Sequence, residues 1–296
     1  MKTINGSKGI KKTVWLFLAF FFIVAGCEQF QSSKEDDLLA VEPNVAALVV
    51  PGDYAAGALA VTGGVVTWTK MIHLGIDGVV TFYQPGGNFY LTEQHFEFFP
   101  WSNSIRISAQ EPQGRYFWQL TGEKFTSLDE KGTIDTSTMA LSSRDYVEIV
   151  LSILIAPVRF LDKSVGFIKS STPVRKEGLL YYQIEMTYPT EPVASADVKQ
   201  RIEQPVQPNF PKVIFFQNTN SSLIEMIWLA DPQRRDEGPR SAGAQNKFLM
   251  VRGYDYKRVH KDAVFVPSKI EIFRTDSRAL IKERLVKIDF KNLPPG

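Results

Sequence analysis

Oxygen and nitrogen donors crowd together at one place in the chain, Glu93-Gln94-His95-Phe96-Glu97. On an extended strand, residues 93, 95 and 97 point to the same side. Two carboxylates and an imidazole on one face are a donor set suited to a divalent ion, or to carboxylate-based hydrolysis. Same-face neighbours lie about 7 Å apart along a strand, too far for all three to meet one ion without help from elsewhere. The segment is therefore read as a solvated strand face with Phe96 and Phe98 turned to the core. The other histidines, His73 and His260, are distant in sequence, and Cys27 is the only cysteine. A single cysteine excludes a disulfide framework and any cysteine-rich zinc or iron–sulfur site. Arg234, Arg235 and Arg240 could touch lipid head groups or an acidic partner, but Asp231, Asp236 and Glu237 interleave with them, as in a solvated loop tip. No G-x-S-x-G, H-E-x-x-H, C-x-x-C, Walker A or G-x-G-x-x-G pattern occurs. The expectation is a protein that is not an enzyme and carries neither metal nor cofactor.

Composition narrows the classes further. Of 296 residues, 44 % are apolar and 12 % aromatic, which excludes a disordered chain and supplies a sizeable core. With 34 basic against 32 acidic residues the charge is near neutral, unlike a dedicated nucleic-acid binder. Trp101, Trp118, Trp228, Tyr181 and Tyr182 have few basic neighbours, so they do not form a stacking platform for bases. They read as sheet core or as the lining of a hydrophobic pocket.

The N-terminus carries Lys2, Lys8, Lys11 and Lys12 without an acid, then an apolar run of 11 residues from Val14 to Val24. A membrane-spanning helix needs about 20 apolar residues, so the run fits the core of an export signal. Val24-Ala25-Gly26-Cys27 follows directly. Here the chain resembles a bacterial lipoprotein precursor, because Val24, Ala25 and Gly26 before Cys27 match the lipobox. The resemblance implies cleavage after Gly26, acylation of Cys27 and attachment to a membrane. Removing residues 1–26 leaves 30 basic and 32 acidic residues, a net charge of −2. Glu28 is not the aspartate that retains enterobacterial lipoproteins in the inner membrane, which favours an outer-membrane anchor facing the periplasm. Residues 27–60 are expected to hold the acylated cysteine and a flexible tether, polar and acidic over 28–40.

From residue 61 to 296 the pattern is one domain of successive strands. Candidates are 64–74, 77–84, 87–99, 103–109, 114–121, 178–188, 211–218, 222–230, 246–256, 263–274 and 278–290. Turns such as Glu177-Gly178 separate them. In 179–188, Leu180, Tyr182, Ile184, Met186 and Tyr188 share one face, and in 222–230 so do Ile224, Met226 and Trp228. Such alternation predicts an antiparallel sheet with one wet face. One segment differs. Ser142 or Ser143 can cap a helix that Asp145 complements and Pro157 ends. Tyr146, Ile149, Val150, Ile153 and Leu154 make it apolar nearly all round, so it must be enclosed. Residues 189–211, rich in proline, are expected as a long loop whose role is open.

A curved sheet, an apolar helix and a lipobox together resemble the lipoprotein-localisation carriers, the LolA/LolB-like family. The closest local likeness is the closing hairpin. There Tyr254 and Tyr256 precede Phe265-Val266-Pro267-Ser268-Lys269-Ile270-Glu271-Ile272, and Arg284-Leu285-Val286-Lys287-Ile288 follows. The resemblance implies a mainly β (α+β) fold, a single curved antiparallel sheet of about eleven strands forming an open half-barrel. The apolar helix would pack in its concave face. It further implies a lipid or acyl-chain ligand in the concave face, and the apolar residues of the helix and strands expected to line that cavity are Tyr146, Ile149, Val150, Ile153, Leu154, Tyr182, Ile184, Met186 and Trp228. The alternative is a structural lipoprotein that assembles with an envelope protein and holds no small ligand.

Overall fold

The computed structural model describes residues 39–43, 52–84, 86–111, 114–129, 140–188, 209–235, 246–259, 264–291 and 293, with side chains of 232–235 and 246 left aside. Cys27, its lipobox, His260, Arg240 and residues 189–208 therefore lie outside the described residues. Leu39–Gly296 form one compact unit. Folded chain thus begins before residue 61, where the tether was expected to end. Helix α1 (Gly52–Val61) buries Ala55, Ala58 and Leu59. Its alanines and leucine are strong helix formers, and Ala55, Ala58 and Leu59 join the main core.

Helix α2 (Val65–Lys70) replaces the first half of the expected strand 64–74. β-branched Val65, Val66 and Thr67 favour a strand locally, but burial decides the matter. Trp68 is fully enclosed and its indole N–H donates to Thr62 Oγ1 at 3.0 Å. Gly63 and Gly64, both at positive φ, turn the chain sharply enough to place it.

Thirteen strands follow: β1 (Leu74–Tyr83), β2 (Phe89–Phe99), β3 (Ser104–Glu111), β4 (Gly114–Thr121), β5 (Lys124–Asp129), β6 (Gly166–Lys169), β7 (Val174–Lys176), β8 (Leu179–Thr187), β9 (Lys212–Asn218), β10 (Ile224–Arg235), β11 (Asn246–Arg258), β12 (Phe265–Thr275) and β13 (Ile281–Phe290). All belong to one sheet in the order β5-β4-β3-β2-β1-β13-β12-β11-β10-β9-β8-β6, with β7 paired to β8. Every pairing is antiparallel, and β1 joins β13 from Gly78↔Phe290 to Phe82↔Val286, so the first and last strands zip two meanders together. Strands β5 and β6 lie at opposite ends of the order and do not pair, so the sheet is open. It is the expected half-barrel with thirteen strands in place of about eleven. The additions β5, β6 and β7 are short and have no fully buried residue, so they lack the apolar alternation that betrays a strand.

Helix α3 (Ser143–Leu154) and the single turn α4 (Ala156–Arg159) lie between the two meanders. The expected closing hairpin forms, pairing Ile270 with Ile288 and Ile272 with Val286, all four fully buried. Two apolar clusters result. The larger one joins α1, α2, α3 and the inner face of the sheet. The smaller one, Tyr181, Phe216, Met226, Trp228, Ala230 and Met250, lies on the outer face. Turn Glu177-Gly178, with φ of 48° and 85°, links β7 to β8 as a two-residue hairpin.

Candidate functional site: the concave face and its helix

Helix α3 begins where Ser142 Oγ accepts the Asp145 amide at 3.2 Å, a cap that ties down one of four free N–H groups. From there it is enclosed, with Tyr146, Val147, Ile149, Val150, Leu151, Ile153 and Leu154 all buried. A helix apolar on nearly every side is stable in water only when its surroundings cover it, and the concave sheet does so. Five of the expected cavity residues on α3, Tyr146, Ile149, Val150, Ile153 and Leu154, share one core with Ile184 and Met186 of β8.

Two expected residues behave otherwise. Tyr182 is partly exposed and carries the Lys169 ammonium 3.8 Å from its ring centre. Trp228 is a correction, since it lies in the outer cluster, stacked 5.8 Å from Phe248, with its N–H donating to Thr275 Oγ1. The cause is a β-bulge. On β9, Gln217 and Phe216 are adjacent, yet they face Ile224 and Met226. The extra residue, Glu225, reverses the inward–outward alternation. Ile224 therefore faces in, Met226 and Trp228 face out, and Ile227 and Leu229 take the core positions.

Two polar systems hold α3. Against β2 and β4, Tyr146 Oη donates to Gln94 Oε1 at 2.6 Å, and Gln94 Nε2 donates to Tyr116 Oη at 2.8 Å. Thr92 lies 3.2 Å further on and bonds Glu111. Burial raises the phenols of Tyr146 and Tyr116 well above their ordinary value, so both remain O–H donors. The second system lies at the N-terminal end of α3. Asp145 pairs with the buried Lys247 ammonium, which also rests 4.7 Å from the Phe210 ring centre. Asn209 Nδ2 donates to Asp145 Oδ1 at 2.9 Å and to Glu148 Oε2 at 2.7 Å. Burial pushes the Glu148 carboxyl up to about 7, with Asp145 adding to the rise and Asn209 opposing it.

Beside Glu148 a cavity of about 110 Å³ opens between α3 and the sheet. Leu120 of β4 lines it on one side, and Met186, Val213, Phe215 and Leu229 of β8, β9 and β10 on the other. These strands come from opposite halves of the sheet, so the cavity sits at the seam of the half-barrel, where Leu151 and Ser152 of α3 bridge the gap. Glu123, Arg144, Glu148, Arg159, Tyr188 and Asn209 are among the polar residues of its wall. An apolar floor with a charged rim suits an amphiphile. The polar residues escaped the sequence reading because they come from α3, α4, the turn between β4 and β5, and the segments that follow β8 and precede β9. Only within α3, where Glu148 follows Asp145 by three and Arg144 by four, is a shared face visible.

On the outer face, His95 and Glu97 do point the same way, while Glu93 pairs with Lys291 at 2.5 Å. Their companions are His73, Asp77 and Arg106. Chiefly through hydrogen bonding to His73, and also through Arg106, Glu97 is held below the usual carboxylate range. Among the described residues no helix is long and apolar enough to cross a membrane.

No family model matches the sequence, and no curated protein matches it. Among solved structures, the chain is similar to a LolA superfamily protein from Nitrosomonas europaea, with a TM-score of 0.42 and 9 % identity over 76 % of this chain and 86 % of that one. It is also similar to a putative outer membrane lipoprotein-sorting protein domain from Vibrio parahaemolyticus, with a TM-score of 0.37 and 6 % identity over 75 % and 84 % of the two chains. A DUF1329 family protein from Desulfovibrio piger gives a TM-score of 0.40 and 9 % identity over 81 % and 90 %.

Proposed function

We propose that this chain is a lipid-anchored protein of a bacterial cell envelope, held to the outer membrane through acylated Cys27 and facing the periplasm. In this reading its half-barrel binds an alkyl chain or other hydrophobic ligand and performs no chemistry on it. One observation carries the proposal: the cavity at the seam, floored by Leu120, Leu151, Met186, Val213, Phe215 and Leu229 and rimmed by charged side chains. Affinity would come from alkyl burial, about 25 cal/mol per Å². At about 110 Å³ the cavity is smaller than the roughly 300–1,000 Å³ of sites for drug-sized ligands. A chain of any length therefore enters by displacing α3, whose attachments to the sheet are two localised polar systems and apolar contact.

The cavity's small size is also the observation that favours a second reading. A concave face already filled by α3 suits an assembly protein whose partner docks elsewhere. A saturation experiment separates the two. The intact protein in mild detergent is titrated with a fluorescent fatty acid, alongside Ser152→Leu, which fills the cavity from the helix. Saturable uptake weakened about 10-fold or more by the variant, a loss of about 1.4 kcal/mol, supports ligand binding. Non-saturable partition, equal in both proteins, would favour the assembly role.

A further inference from the structure

We propose that Arg144 binds the anionic end, a carboxylate or a phosphate, of an alkyl-chain ligand whose tail lies in the seam cavity along α3. This ligand class rests on the lipid reading of the same site. Arg144 belongs to the cavity wall. Its Nη2 donates to the Glu123 carbonyl oxygen at 3.3 Å, while its Nε is buried and has no partner. The neighbouring cations are already engaged: Lys247 pairs with Asp145, and Arg159 donates to Asp162 Oδ2 at 3.1 Å. Arg144 donates to no carboxylate among the described residues, and Glu123 and Glu148 act on it only through space. A buried N–H without an acceptor is costly. Carboxylate and phosphate oxygens match the fork of a guanidinium, and their bonds to it are the strong, charge-assisted kind.

The position of Arg144 in the helix points the same way. Ser143, Arg144 and Asp145 form the first turn of α3 after the Ser142 cap. The helix dipole is positive there, so it disfavours a cation and favours an anion beside it. From Arg144 the wall continues along one helix face through Glu148, Leu151 and Ser152. At about 1.5 Å per residue, that face extends about 12 Å from Arg144 to Ser152. Leu120, Met186, Val213, Phe215 and Leu229 of the sheet complete the apolar lining. An anion held by Arg144 thus continues into a lane of apolar side chains, the layout of an amphiphile lying along the helix. Glu148 and Glu123 also line the wall. Burial pushes the Glu148 carboxyl up to about 7 and raises that of Glu123, so both oppose an anion less than ordinary carboxylates do.

The test uses the intact protein in a non-ionic detergent, loaded with the fluorescent fatty acid cis-parinaric acid. Dodecanoate, monododecyl phosphate, dodecanol and inorganic phosphate are each used to displace it. Comparing the parent with Arg144→Gln under the same conditions cancels partition into micelles. The expected result is that the parent binds both anionic amphiphiles and that Arg144→Gln weakens them about 10-fold or more. Dodecanol should bind equally to both proteins. Arg144→Lys, which keeps the charge and loses the fork, should recover part of the loss. Circular dichroism of the variants should match the parent, since Arg144 is half-buried and both replacements are good helix formers. Equal binding of the anionic amphiphiles by the parent and Arg144→Gln would overturn the role of Arg144 and leave the lipid reading in place. So would displacement by inorganic phosphate at the concentrations that dodecyl phosphate requires, which would mark a site for a free ion. No saturable binding of any alkyl chain would overturn the lipid reading and the role of Arg144 with it.

Discussion

Two side chains on α3, the buried Tyr146 and the half-buried Glu148, bear on how firmly the helix is held, and each makes a measurable claim. Tyr146 Oη is the hydrogen-bond donor to Gln94 Oε1 on β2. Tyr146→Phe leaves that buried oxygen without a donor, at a cost of about 1–3 kcal/mol in urea unfolding. An unchanged midpoint would show that Gln94 finds another partner. Glu148 makes a claim about pH. Its carboxyl, raised to about 7, binds a proton in the folded state at pH values where the unfolded chain has lost it. The resulting penalty is full above about pH 7, falls as pH drops, and vanishes below the unfolded value of 4.5. The protein should gain stability on acidification through that window. Glu148→Gln keeps an acceptor for Asn209, removes this dependence and stabilises at pH 8 by about 1–2 kcal/mol after allowance for solvent contact. A pH profile unchanged by the substitution would show that Glu148 ionises like an exposed carboxylate.

At the scale of elements, α3 is pinned to β11 by the pair Asp145–Lys247, with side-chain exposures of 6 % and 4 %. Lys247→Met alone strands a buried carboxylate and should cost about 3–5 kcal/mol. Combining it with Asp145→Asn should restore most of the loss, and a double-mutant cycle would measure the coupling. Additive losses would show that the two charges are solvated separately. The element pattern also shows where sequence is informative. Strands β1, β2, β3 and β4 bury alternate residues over long stretches, and α3 carries a cap, an acidic first turn and a stop at Pro157, so their kinds were legible. Two elements were not. Helix α2 hides behind β-branched residues and is set by the tertiary burial of Trp68. The bulge at Glu225 inserts one residue and moves Trp228 from the inner to the outer face, and no local composition marks such a bulge. The apolar half of the concave site was readable because it repeats along α3 and β8. The polar rim was not, because Arg159, Tyr188 and Asn209 meet Glu148 only through long-range packing.

For the whole molecule, the open sheet, its central helix and the proposed anchor belong to one account. Cys27 would set location and the half-barrel would set what is bound. Cys27→Ser should therefore leave the membrane pellet and shift to the soluble fraction of osmotically released protein, while circular dichroism and thermal midpoint of the folded unit stay within error. Retention of the variant in the membrane would show that something other than the acyl chains holds it there.

The central claim is that the concave face takes a hydrophobic ligand when α3 moves. The most direct measurement is native mass spectrometry with lipid extraction on the full-length protein purified from its own cell envelope in mild detergent. The account predicts one co-purifying alkyl-chain ligand per chain, in addition to the covalent acyl groups on Cys27, and its loss in the cavity-filling variant Ser152→Leu with the fold intact. A well-folded parent protein that carries no exchangeable lipid, and takes up none when lipid is offered, would contradict it.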